Sequence, residues 1–345
     1  MSHATRGAVL RQVHGVPDEI DRLAVGRRLD DLRTLLQELE RDRRVDPRAR
    51  GLTSRASMAR VRTEDELMTI AREHLPAGVA EGWLALRLPA VQLVPVPAGD
   101  VLTPVVGQLG GEPDLPDDVP WPVAGDGRPL YHVATVDCGA LPAVGAGLPD
   151  GGRLVFFVDE ALFEDDVDPD EPPPPGAARL AHVPAGQAVR RRATPARGNA
   201  YDRTRLGARP CVTVPAGDDP AVSQALGNAV TDPGHPLRAL RLAAALAGQE
   251  PDHRLGGHPR SLRHSVEFDA AAAALGGATN RRDPAVREEA LRWRLLAQFD
   301  RSDPDIAWHG DDAVLLHWLI RADDLAAGRL DRVFFTLSRP YGNAE

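Results

Sequence analysis

The sequence predicts an α+β fold, mainly β and internally duplicated, with an N-terminal helical extension. Three observations carry that expectation. One long stretch of helical periodicity lies near the start; short apolar runs separated by Pro and Gly fill the chain after Gly82; and three sequence blocks recur in the same order. Residues 1–75 form the helical extension with an Arg-rich linker, and 76–345 the duplicated domain, with half-repeats at about 88–215 and 236–338.

Between residues 18 and 44 the apolar positions Val25, Leu29, Leu32, Leu36 and Leu39 step by four and three, which is one face of a helix. Such a stripe packs either on its own domain or against a second copy, so a homodimer through 18–44 is one expectation. Eight arginines lie between Arg41 and Arg62 against Asp42 and Asp46 alone. That segment reads as a solvated linker, and the lack of interleaved aromatics argues against nucleic acid. Thr63 and Glu66 form a capping box, and Leu67, Ile70, Ala71 and His74 make a helical face that stops at Pro76.

Strands are expected at 90–96, 130–136, 154–158, 178–183, 211–214, 315–320 and 333–337. Helices are expected at about 236–247 and 284–294. Between the expected strands 154–158 and 178–183, residues 164–175 run from acidic residues into Pro172–Pro175; like-charge repulsion and missing amide donors predict an exposed, extended loop.

The repeat is read from residues. Leu109-Gly110-Gly111-Glu112-Pro113 matches Leu255-Gly256-Gly257-His258-Pro259; 131–137 matches 294–300; and 154–158 matches 316–320. At these blocks the chain resembles the YwqG-like family, a bacterial domain of unknown function. Gly110-Gly111-Glu112-Pro113-Asp114-Leu115-Pro116, Trp121-Pro122, Val133 to Asp137, Trp293 to Asp300, Trp308-His309-Gly310-Asp311 and Leu315 to Leu337 carry the resemblance. It covers about residues 88–338 and implies a duplicated, mainly β domain with no established activity. Members near toxin and immunity genes imply a partner-neutralising role as one expectation. The sequence departs from the family pattern at Thr135 and Arg263, where Gln is expected, and at the inserted His309.

Composition excludes whole classes. All 41 basic residues are arginine, so Schiff-base chemistry, the phosphate-loop lysine and the kinase lysine are absent. Cys138 and Cys211 have no metal-site spacing, and Cys138 reads as a small core thiol. His253, His258 and His264 are spaced by five and six, which fits no common zinc pattern. No cofactor and no metal is expected. With no apolar run of 18 and no apolar core in its first residues, the chain is expected to be cytoplasmic, with no membrane contact.

Asp137 and Asp300 hold matching places at the ends of apolar strands. Brought together, two carboxylates share general acid and base work; kept apart, each caps the turn after its strand. Gln298 belongs to the same candidate catalytic set. Trp121, His132, Trp308, Asp311 and Trp318 are candidate binding residues, whose indoles either pack the core or line a groove between the half-repeats. The expected function is recognition of a protein or peptide partner, helped toward a basic target by the net charge of −9; a hydrolase using the groove carboxylates is the alternative.

Overall fold

The computed structural model describes residues 63–339 apart from 165–170, 197, 199, 228–233, 239–251, 278–279, 302 and 304–313. All of them belong to the unit Ala59–Glu345. The candidate dimer helix 18–44, most of the expected helix 236–247, Trp308 and Asp311 lie outside the described residues.

The chain enters through two short helices. Helix α1 (Glu64–His74) starts at the expected capping box: Glu66 N–H donates to Thr63 Oγ1 and Thr63 N–H to Glu66 Oε2. Helix α2 (Ala77–Ala85) buries Trp83, whose indole N–H donates to Pro215 O at 2.9 Å. Leu75, Ala80 and Trp83 share an apolar cluster with Val222 of helix α3 (Pro220–Leu226). Residues 63–75 thus pack against α2 and α3.

Among the described residues ten strands then make one antiparallel sheet. In chain order they are β1 (Leu88–Pro95), β2 (Gly107–Leu109), β4 (Tyr131–Asp137), β5 (Arg153–Val158), β6 (Ala178–Val183), β8 (Thr204–Thr213), β9 (His253–Gly256), β10 (Trp293–Asp300), β11 (Leu315–Arg321) and β12 (Phe334–Ser338). Two-residue strands β3 (Asp114–Leu115) and β7 (Arg190–Arg191) form a separate ribbon. The spatial order is β12-β11-β10-β9-β1-β8-β2-β4-β5-β6. The central pair β1 and β8 runs in register from Leu88 opposite Thr213 to Pro95 opposite Leu206. On either side of that pair the same series appears: a short strand followed by a positive-φ Gly-Gly turn, then a strand with a bulge, then a strongly apolar strand, then an edge. The bulges fall at Val133 in β4 and Leu296 in β10. Glycine is required at the turns, since Gly110, Gly111, Gly256 and Gly257 all have φ between 57° and 76°.

The sheet curls so that its two sides share one core. Phe156 of β5 meets Phe299 of β10 and Trp318 of β11 edge to face, each with ring centroids 5.1 Å apart, and Trp318 also lies 4.9 Å from Phe335. Such aromatic pairs add about 0.5–1.5 kcal/mol each beyond area burial. Strand alternation turns Leu154, Phe156 and Val158 to this core and Val155 and Phe157 to a second, outer cluster under Trp121. Burial on both faces explains the continuous apolar runs in β5 and β11.

Sequence and structure differ in places. The expected helix 284–294 is α5 (Pro284–Ala290), started by Asp283 accepting from Ala285 N, and β10 begins three residues after its end. The expected strand 211–214 is only the end of β8. Helix α4 (Glu267–Ala274), packed on β10 and β12, had no counterpart in the expectation. A short helix α6 (Ala322–Ala326) follows β11.

Candidate functional site

The structure does not bring Asp137 and Asp300 together. Val136 and Phe299 point into the shared core, and strand alternation turns the flanking Asp137 and Asp300 to the opposite, outer faces of their own sides of the sheet. Aromatic packing of Phe156 on Phe299 and Trp318 fills the space between the inner faces of the two sides. Asp137 is partly exposed, accepts from Gly139 N–H at 3.0 Å and lies 3.9 Å from Arg153. Asp300 is buried; its Oδ2 accepts from Arg260 at 3.0 Å and from Asp252 N–H at 3.3 Å, and its N–H donates to His253 Nδ1.

Gln298 is engaged at both ends of its amide. Its Oε1 accepts from Arg260 N–H at 2.8 Å and its Nε2 donates to Asp252 O at 3.1 Å. Asp252 forms buried ion pairs with Arg254 and Arg260. Burial opposes ionisation of Asp252, but Arg254 and then Arg260 outweigh it and hold the carboxyl below the usual range. Arg254 also donates to the carbonyl of His258, the residue directly after the Gly256-Gly257 turn. At the matching place on the other side, Gln108 Nε2 donates to Glu112 O across the Gly110-Gly111 turn. These polar side chains hold the turns in place; that use consumes their hydrogen-bonding capacity.

The expected binding residues have similar duties. Trp318 is in the core. Trp121 donates its indole N–H to Leu130 O at 2.9 Å and stands edge-on to Phe157. His132 is buried, with Nδ1 at 3.0 Å from Gly111 O and Nε2 at 2.8 Å from Thr135 Oγ1. Burial lowers its pKa to about 4, so the ring is neutral; Nδ1 donates to the carbonyl and Nε2 accepts from the hydroxyl. Cys138 is buried and its thiol is pushed up to about 12 by burial, then by Asp137. It is no nucleophile at neutral pH.

The three histidines weighed as metal ligands go to three different carboxylates: His253 to Asp303, His258 to Asp219 and His264 to Asp269, at 3.0, 3.1 and 2.6 Å. Among the described residues no group of three or more His, Cys, Asp or Glu is arranged to hold a metal ion.

Two concavities stand out among the described residues. One, of about 300 Å³, is lined by Arg87, Asp219, His258, Glu267 and Trp293. Burial, and then Asp219, push the Glu267 carboxyl up to about 8, while its bond from Ser265 Oγ acts the other way. Several polar groups here already have protein partners: His258 Nε2 donates to Leu86 O at 2.8 Å, and Arg87 pairs with Glu64 at 2.8 Å. Sequence reading missed this cluster, because Asp219 and His258 are 39 residues apart and no local motif joins them.

The other concavity is a groove of about 700 Å³ between the two ends of the sheet. Residues 171–179, leading into β6, form one wall, and 333–339, containing β12, form another; helix α4 contributes Asp269, Ala272 and Ala273. Pro172–Pro175 of the expected acidic, proline-rich loop are part of it. Seven consecutive residues of the β12 wall border the groove, whereas a groove lying on one face of a strand touches alternate residues only. It is therefore the strand's edge that faces the space.

Fold and geometry define a β-rich domain with a wrapped sheet and an open edge groove. Residues 107–338 match the family described as a domain of unknown function, DUF1963, and the chain belongs to that family. No curated protein matches it. Among the described residues no helix is long and apolar enough to cross a membrane.

Proposed function

We propose that this domain is a binding module for a protein or peptide partner, and that the groove between β6 and β12 is where the partner sits. The observation that carries the reading is the coincidence of the large groove with the two free ends of the sheet order. Exposed strand edges are templates for an added strand. The hydrolase alternative has less support, because Asp137 and Asp300 have separate neighbours and the amide of Gln298 is fully engaged.

The matched strand series and bulges support a further part of the proposal, that the two sides of the sheet are copies of one ancestral unit. Partner neutralisation, as the YwqG-like resemblance implies, is one form such binding takes. A cytoplasmic location and pairing through residues 18–44 belong to the same proposal.

Native mass spectrometry of the full chain with a panel of short synthetic peptides of varied charge tests it. The expected result is a one-to-one adduct with a subset of the peptides and no change in peptide mass. Cleavage of a peptide contradicts the non-enzymatic reading, and failure of every peptide in the panel to bind contradicts peptide recognition.

A further inference from the structure

The groove has a chemical character that narrows its occupant. Resting on the binding-module reading, we propose that it takes an acidic peptide in extended conformation, added as a strand to the free edge of β12.

The backbone argues for strand addition. Among the described residues β12 is paired on one side only, with β11, in a register from Leu315 opposite Ser338 to Leu319 opposite Phe334. Among the described residues, none of the backbone groups of Phe334–Ser338 has a hydrogen bond on the other side. An antiparallel strand leaves alternate residues with both N–H and C=O directed outward, and these groups face the groove. The edge is not blunted in the usual ways: β12, FFTLS, carries no charge, no proline and no glycine. Its five residues span about 17 Å, the length of an ordinary strand.

The side chains argue for negative charge. Four arginines line the groove: Arg179, Arg263, Arg281 and Arg339. Arg179 and Arg281 are exposed, and neither has a carboxylate partner among the described residues. Of the two lining carboxylates, Asp269 is engaged by His264 at 2.6 Å and Thr336 at 3.5 Å, and Glu171 stands at the far end of the proline-rich wall. Among the described residues that line the groove, four arginines thus stand against two carboxylates, on a chain whose net charge is −9. Guanidinium groups bind carboxylates in a planar, two-point manner that lysines do not reproduce. Half-buried Phe335 and Leu337 border the main core and offer the apolar contact that alternate residues of an added strand need. A peptide alternating glutamate and valine meets both requirements.

Fluorescence anisotropy with the full chain and a labelled peptide of alternating glutamate and valine is the test. Two further probes accompany it: the same repeat with lysine for glutamate, and the glutamate repeat N-methylated at alternate residues. The glutamate repeat is expected to bind about tenfold or more tighter than either. The Arg179→Glu/Arg281→Glu chain is expected to lose about tenfold or more in affinity while keeping its thermal midpoint, since both side chains are exposed. Equal binding of the lysine repeat, equal binding of the N-methylated repeat, or an unchanged affinity in the double variant overturns the proposal. So does a second copy of the chain, seen by native mass spectrometry to occupy the edge of β12. If other peptides bind while the glutamate repeat does not, the binding-module reading stands and this one falls; if no peptide binds, both fall.

Discussion

The two sides of the sheet solve one structural problem with different chemistry. On the side of β2, β4 and β5, the Gly110-Gly111 turn is held by Gln108, which reaches Glu112 O and accepts from the cation Arg203, and by neutral His132, which reaches Gly111 O. On the side of β9, β10 and β11, Arg254 stands at the place of Gln108 and Gln298 at that of Thr135, and Asp252, Arg260 and Asp300 complete a buried charged network. Backbone geometry is common to both sides: the same bulge, the same left-handed glycines and the same order of strands. What differs is the burden placed on electrostatics. A buried ion pair contributes little net stability when intact, yet leaves an expensive uncompensated charge when one partner is lost.

Matched substitutions at the strand ends make that contrast measurable. Asp300→Asn leaves Arg260 short of one buried partner and is expected to destabilise by about 3 kcal/mol. Asp137→Asn, at a partly exposed turn where asparagine caps as well as aspartate, is expected to stay within about 0.5 kcal/mol. Equal losses in urea melts would break the comparison.

A smaller and pH-dependent effect belongs to Glu267. Its folded pKa of about 8 lies above the ordinary 4.5 of a glutamate, so the folded state holds a proton that the unfolded state releases. Its contribution is fully present below about 4.5 and is lost as pH rises through about 8. Stability therefore declines across that window, and Glu267→Gln is expected to flatten the decline; an unchanged slope would count against the buried neutral carboxyl. His132 and His317 act in the opposite direction. Burial lowers both to about 4, so their contribution is present above 6.5 and is lost as pH falls through 4.

Much of this architecture was legible in the residues. The capping box at Thr63, the runs that became β5, β11 and β12, and the glycine turns follow from local rules. Strands β2 and β9 were not legible as strands, because buried Gln108, His253 and Arg254 imitate loop composition. Only the recurring Leu-Gly-Gly pointed to them. The repeat located Asp137 and Asp300 at equivalent strand ends, but a strand's two-residue period decides which face a side chain takes, and the face turned out to be the outer one. The edge groove was illegible for a different reason. Whether a strand is central or terminal depends on spatial order, and nothing in FFTLS states that β12 is last in the sheet.

Hydrogen–deuterium exchange of the full chain with and without the peptide of alternating glutamate and valine tests most directly that the working surface lies at the open ends of the sheet. The account predicts slower exchange on peptide addition at 333–339 and through 171–183, with the strand ends at Asp137 and Asp300 unchanged. Protection centred on those strand ends, with both edges unaffected, would contradict it.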